Sequence, residues 1–171
     1  MKDNKIDSFT GKYEFLSNFY VAPVIFEGLT YNNNEAAFQA QKCIDPNDRS
    51  KFTKLNPTEA KKLGREIQLR KDWEQIKIHV MRGVVEAKFT QNPELAWKLL
   101  DTGDTYLEEG NTWGDRIWGT VDGQGANNLG KILMVVRENL RQQETPDCRL
   151  SKRSVSDKRS KSNRDTNCER D

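Results

Sequence analysis

Two Asn-Pro pairs mark where helices start in the middle of this chain. "NPTEAKKLGREI" begins at Asn56, with Pro57 at the first helical position and Glu59 three residues after the cap. Asparagine satisfies the free N–H groups of a first turn, proline fits there because its missing donor is not needed, and Glu59 can complete a capping box. "NPELAWKLLDTG" opens in the same way and stops at Gly103. Between them, "DWEQIKIHVMRGVVEAKF" places Trp73, Ile76, Val80, Val84 and Ala87 on one stripe, the signature of a helix with one buried face. "NLGKILMVVRENLR" does the same with Leu129, Ile132, Leu133, Val136 and Leu140. Trp73 and Trp97, at helical stripe positions, are expected in the core.

The N-terminal third reads differently. Residues 13 to 31, "YEFLSNFYVAPVIFEGLTY", are rich in aromatic and β-branched side chains, and Glu27-Gly28 between "VIF" and "LTY" predicts a hairpin turn. Between Gly103 and Asn128, apart from a short strand at "TYLEE", no period of two or 3.6 survives, which predicts a loop. Spending Trp113 and Trp118 there argues for more than a connector. The expected fold class is α+β, mainly helical, as a single domain over 1–141 with a small N-terminal β element.

From Gln142 the composition changes. "QQETPDCRLSKRSVSDKRSKSNRDTNCERD" holds no aromatic residue, and its eight Lys or Arg against six Asp or Glu account for the net +2 of the 171-residue chain. Such a segment buries too little apolar surface to offset its ordering entropy, so 142–171 is expected to be a disordered basic tail. The body is then neutral, unlike a strongly nucleic-acid-binding domain. Three cysteines, Cys43, Cys148 and Cys168, without a C-x-x-C pair argue against a disulfide framework or zinc site. No apolar run reaches membrane-spanning length and "MKDNKIDSF" has no signal-peptide core. The expectation is a cytoplasmic protein with no membrane partner, no metal and no cofactor. His79, alone in mid-helix, is assigned no role.

The chemistry-bearing stretch is "NNNEAAFQAQKC", residues 32 to 43. Asn32 to Asn34 supply a helix cap, with Asn32 and Glu35 at capping-box spacing. On a helix turning ~100° per residue, Glu35 and Lys42 fall within ~20° of each other and ~10 Å apart, with Gln39 between them. Ala36, Ala37, Ala40, Cys43 and Ile44 make a thin apolar face on the other side. Phe38 borders the polar row, and Ser17 and Asn18 in "FLSNFY" sit among aromatics as hydrogen-bonding groups would in a pocket wall.

Four segments taken in order, "FLSNFY", "YNNNEAAFQAQK", "LGREIQLRKDWE" and "WGDRIWGTVDGQGANNLGKIL", resemble the NADAR (YbiA-like) family over roughly residues 9–141. The resemblance implies a mainly helical α+β fold and an N-glycosidase acting on riboflavin-biosynthesis intermediates or on ADP-ribosylated guanine. Carried over by position, it implies roles for Glu35 and Lys42, for Arg65 and Arg70, and for Asp115, Trp118, Gly119, Asn127 and Gly130. The run "WGTVDGQGAN" is longer than in many members and bears on substrate choice.

These residue types suit that chemistry. Breaking a ribosyl C1–N bond builds positive charge on the sugar, which a carboxylate stabilises while activating water; Glu35 and Asp115 are the candidates. Lys42, if desolvated, can instead attack C1 to give an imine. Arg65 and Arg70 suit phosphates. Phe19 or Trp118 can stack on the base, with Ser17, Asn18, Gly119 and Asn127 lining the substrate site. The substrate is expected to be a small-molecule N-riboside or ADP-ribosylated guanine in nucleic acid. The rival class is a non-catalytic ADP-ribose or nucleic-acid reader anchored by the tail; such a reader has no need of an acid and an amine beside the sugar. Gly123 and Gly125 imitate a phosphate loop, but no G-K-[ST] follows them.

Overall fold

A computed structural model describes residues 4–143. Strand β1 (Lys5–Ile6) pairs in parallel with β4 (Tyr106–Leu107). A 3₁₀ turn, Gly11–Leu16, leads into the antiparallel hairpin of β2 (Val21–Phe26) and β3 (Leu29–Asn33). Its turn is the expected Glu27-Gly28, with φ of 48° and 79°. Two successive positive φ angles match the right-handed twist of the flanking strands. The register shift between Val21 and Val24 surrounds Pro23, which cannot donate to a ladder. The outer edge of β2 is closed by side-chain amides: Gln91 exchanges both hydrogen bonds with Ile25 at 2.7 and 2.9 Å, and Asn92 Nδ2 donates to Pro23 O at 3.0 Å.

Six α-helices follow among the described residues: α1 (Asn34–Ala40), α2 (Pro46–Ser50), α3 (Pro57–Glu66), α4 (Trp73–Gln91), α5 (Pro93–Asp101) and α6 (Asn128–Gln143). The capping box of α3 forms as expected between Asn56 and Glu59. Long α4 is the centre of the core, packing against β2, α1, α5 and α6. Its Trp73, Val80 and Val84 are buried, as are the five stripe residues of α6. Helix α6 continues through Gln142 and Gln143, the first two residues assigned to the tail. The rest of that segment lies outside the described residues.

Three local expectations are corrected. The cap of α1 is Asn33, whose side chain accepts from Ala36 N at 2.8 Å. Pairing in β3 continues to Asn33, so Asn32 is an exposed strand residue and Glu35 takes no part in a capping box. Second, α1 has no thin apolar face: all seven of its residues are buried. It ends at Ala40, and Lys42 and Cys43 follow in a tighter turn closed by bonds from Lys42 N to Gln39 O and Cys43 N to Ala40 O. Ile44 is 71% exposed. Third, Trp97 is 67% exposed. Helix α5 buries Leu95 and Leu99, one turn apart, and a residue two positions from Leu95 lies ~200° around the helix from it.

Candidate active site

A cavity of about 900 Å³ opens where α1, α3, the segment before β2 and the loop after β4 meet. Helix α1 and its terminal turn contribute Glu35, Phe38, Gln39 and Lys42, and α3 contributes Lys61 and Arg65. Ser17, Asn18 and Phe19 line one wall; Glu109, Asn111, Trp113, Asp115 and Trp118 line another.

Glu35 is 7% exposed, and its Oε1 accepts from Gln39 Nε2 at 2.8 Å, the i,i+4 partner on the same helix. Burial raises its pKa from the ordinary value; the Gln39 bond, Lys61 and Lys42 oppose the rise, and Asp115 adds to it. Lys42 is half-buried, donates to Gly64 O at 2.9 Å and lies 5.9 Å from the centre of the Trp73 ring. Burial lowers its pKa, Glu35 works against that, and Arg65 and Lys61 add to it. The desolvation that an amine nucleophile needs is therefore in place.

Half-buried Glu109 has no hydrogen-bond or ion-pair partner for its carboxyl among the described residues. Burial, then Asp115 and Glu35, push it up to about 8, with Lys61 opposing. Asp115 Oδ1 accepts from Ile117 N and Trp118 N at 3.0 and 2.8 Å, so one oxygen holds the turn that carries Trp118. Asn111 fastens that turn from the other side, accepting from Asp115 N and donating to Asp115 O. Trp118 meets Phe38 edge-on at 5.3 Å, and Phe38 meets Trp73 at 5.1 Å, giving an apolar wall beside the acids.

The opposite wall is pinned by α4. Asn18 is buried, donates to Met81 Sδ, and accepts from Asn34 Nδ2 at its side chain and from Glu35 N at its carbonyl. Lys88, 1% exposed, donates to Phe15 O and Ser17 O at 2.7 and 2.9 Å. Burial pushes its pKa down to about 7. Phe19 is 42% exposed at the mouth, with Lys61 Nζ 5.7 Å from its ring centre.

A family model for the NADAR domain matches residues 6–141. The chain belongs to the NADAR family. The N-glycosidase YbiA of Escherichia coli is 39% identical over 146 residues, 82% of this chain and 91% of that protein. An N-glycosidase of Nostoc punctiforme is 36% identical over 136 residues, 75% of this chain and 86% of that one. A riboflavin biosynthesis protein of Vibrio vulnificus is 42% identical over 132 residues, but this chain spans only 36% of it. The NMR structure of E. coli YbiA superposes with a TM-score of 0.74 at 38% identity, covering 84% of this chain and 89% of that one. Enzyme class follows from these relatives: the chain is an N-glycosidase, a hydrolase.

In this NADAR domain, Glu35, Lys42, Asp115, Ser17, Asn18, Phe19, Arg65 and Trp118 are brought together around one cavity. Arg70 is not among its lining. It forms a forked pair with Asp72 at 2.7 and 3.0 Å and its backbone N donates to Lys42 O, so it braces the turn that carries Lys42. Gly119 and Asn127 lie behind the cavity wall. A Cβ on Gly119 would come within 2.1 Å of Glu109 O. Asn127, at φ 49°, accepts from Glu109 N and donates to Leu107 O. Both fix Glu109. Gly130 plays a similar part, since a Cβ there would lie 2.2 Å from Leu107 O.

Sequence reasoning missed Glu109 and Lys61. For Glu109 the signal was in "TYLEEG": continuing the alternation of β4 sends neighbouring glutamates to opposite sides. Glu108 turns to Thr120 Oγ1 and Lys5 at 2.6 and 3.0 Å, and Glu109 faces the cavity. Lys61 carried no such signal, reading as an ordinary helix-surface lysine. No group of three or more His, Cys, Asp or Glu among the described residues is arranged to hold a metal ion, and no described helix is long and apolar enough to cross a membrane.

Proposed function

We propose that this N-glycosidase hydrolyses the C1–N bond of a phosphorylated N-riboside, with Glu35, Glu109 and Lys42 at the reacting atoms. The observation that carries the reading is the meeting of buried Glu35 and unpartnered Glu109 with desolvated Lys42 in one aromatic-walled cavity. As the bond breaks, its electron pair leaves with the nitrogen and positive charge grows on C1 and the ring oxygen. Glu109, protonated at neutral pH, delivers a proton to the departing nitrogen. Glu35 stabilises the cationic sugar and takes a proton from the water that adds to C1, so the products are the free amine and a sugar with a C1 hydroxyl. In the covalent variant, neutral Lys42 adds to C1 in place of water and passes a proton to Glu35; the ring C1–O bond then opens to give an imine, which water hydrolyses. Asp115 supports the developing charge and holds the Trp118 turn. Lys61 and Arg65 suit the phosphates, and Phe19 and Trp118 suit the base.

Two substrate classes fit: a phosphoribosylated pyrimidine intermediate of riboflavin synthesis, and ADP-ribosylated guanine. The Vibrio relative's name favours the first; the basic tail of this chain favours a nucleic-acid-linked substrate. The test is to incubate the protein with each and to measure released ribose phosphate or ADP-ribose by mass spectrometry. Release from one class assigns the substrate. Tight binding of ADP-ribose with no release from either class would replace the enzyme by a reader.

A further inference from the structure

Gln39 lies between the two groups that flank the reaction centre, yet no step above uses it. Its Nε2 donates to Glu35 Oε1 at 2.8 Å, and its carbonyl accepts from Lys42 N at 3.2 Å. The side chain is 6% exposed and lines the cavity. Among the described residues its own Oε1 has no hydrogen-bond partner, a costly state for a buried carbonyl. Helix α3 makes room for that pose. A Cβ built on Gly64 would lie 2.0 Å from Gln39 Oε1 and 2.8 Å from its Cδ. The Gln39 amide therefore fills the volume that a side chain at position 64 would take. Gly64 sits inside α3, where alanine is the better helix former. The same glycine offers its carbonyl to Lys42 Nζ at 2.9 Å. One turn of α3 thus sets Lys42 directly and Glu35 through Gln39.

We propose that Gln39 is a positioning residue for Glu35, seated in the gap that Gly64 leaves in α3. It ties down Oε1 and leaves Oε2, which has no hydrogen bond among the described residues, to face the anomeric carbon. Its N–H also favours the ionised carboxylate against burial, in the same direction as Lys61 and Lys42 and against Asp115. Glu109 shares the cavity and couples to Glu35 in turn. The inference rests on Glu35 being the catalytic carboxylate.

The experiment follows the Glu35 carboxyl carbon by NMR through a pH titration, together with kcat and KM, in Gln39→Leu and Gly64→Ala. Each variant is expected to raise the Glu35 midpoint by about one pH unit, a tenfold change in ionisation. Each should lower kcat about tenfold while KM moves less than about threefold, since the substrate contacts remain. In a Gln39→Ala background, Gly64→Ala should cost far less, because the 2.0 and 2.8 Å collisions have gone and only the 3.1 Å approach to the Cβ of residue 39 remains. Gly64→Ala with wild-type kcat and an unmoved Glu35, or with the same cost in both backgrounds, overturns the proposal. Should Gly64→Ala not fold, Gln39→Leu decides alone, an unmoved Glu35 midpoint refuting it. The carbon titration needs no substrate. A shifted Glu35 in a protein whose Glu35→Gln variant turns over normally would fault the catalytic reading and leave only the hold of Gln39 on the Glu35 carboxyl.

Discussion

Glu109→Gln separates the acid's chemistry from its effect on stability. The carboxyl is pushed from the ordinary 4.5 to about 8 by burial and by two neighbouring carboxyls. For an acid whose folded pKa is raised, the folded state holds a proton that the unfolded state has already lost. Stability from this group is fully present below 4.5 and is lost as pH rises through about 8. The span is roughly 3.5 pH units, and at ~1.4 kcal/mol per unit the ceiling is ~5 kcal/mol. Water reaching the half-buried side chain lowers that to about 2–3 kcal/mol, because screening acts at an open site. Glutamine copies the protonated form in size and polarity and cannot titrate. At pH 5 the variant and the parent should therefore have nearly equal unfolding free energies, and at pH 8.5 the variant should be more stable by about 2–3 kcal/mol. Urea denaturation at several pH values measures this, with unchanged m-values showing that the same surface unfolds. The variant should also lose about 100-fold or more in kcat and the basic limb of its rate profile, as removal of a proton donor requires. A constant stability difference between pH 5 and 8.5 would refute the argument, whatever happened to activity.

Glu35→Gln should cut turnover about 100-fold or more with an unchanged circular dichroism spectrum, since it alters charge in a folded helix; normal turnover would remove Glu35 from the mechanism. Lys42→Arg keeps the charge but cannot form an imine, so it should abolish any adduct that borohydride traps in the wild type and most of the activity. An active Lys42→Arg enzyme would leave water attack alone. Lys88→Met should destabilise the fold by about 1–3 kcal/mol at pH 7, because the buried Phe15 carbonyl and the half-buried Ser17 carbonyl lose their donor. Lys88 binds its proton more weakly when folded, so it makes wild-type stability rise with pH from about 7 towards 10.5. That rise should be missing from denaturation curves of the variant.

Local signals carried most of the fold. The Glu27-Gly28 turn, the Asn56 capping box and the α6 stripe each depend on a few consecutive residues, and each forms as read. Where several residues could serve one purpose, tertiary pairing decided. Asn32, Asn33 and Asn34 are all competent caps, and the length of β3 selected Asn33. Trp97 was assigned to the core by type, but two leucines one turn apart already supply the buried face of α5. In the site, Glu35 and Lys42 were visible because they lie seven residues apart, on α1 and on the turn that ends it. Arg70 looked equally suitable for phosphate, and a partner two residues away, Asp72, takes its guanidinium. Alternation along "TYLEEG" separates Glu108 from Glu109, but which of the two meets the acids needed the cavity to be seen: Glu108 goes to a threonine and a lysine, Glu109 to the acids.

The charges in the cavity bear on the rival reading as a reader module. Lys61 and Arg65 suit phosphates, but three carboxyl groups from Glu35, Glu109 and Asp115 share the same space. Carboxylates there weaken the hold on an anionic ligand, and each is raised in pKa or committed to a turn rather than neutralised by an arginine. A site selected for affinity alone would be more stable and tighter with amides or apolar groups at these positions. The arrangement becomes favourable when positive charge develops on the ribose, because then the same carboxylates attract what they previously repelled. Lys42 follows the same logic: desolvation weakens it as a cation for phosphate while leaving more of it as a neutral amine able to attack carbon. Acids that oppose the ground state and a lysine whose charged form burial disfavours are hard to account for by binding, and fit the proposed cleavage at C1.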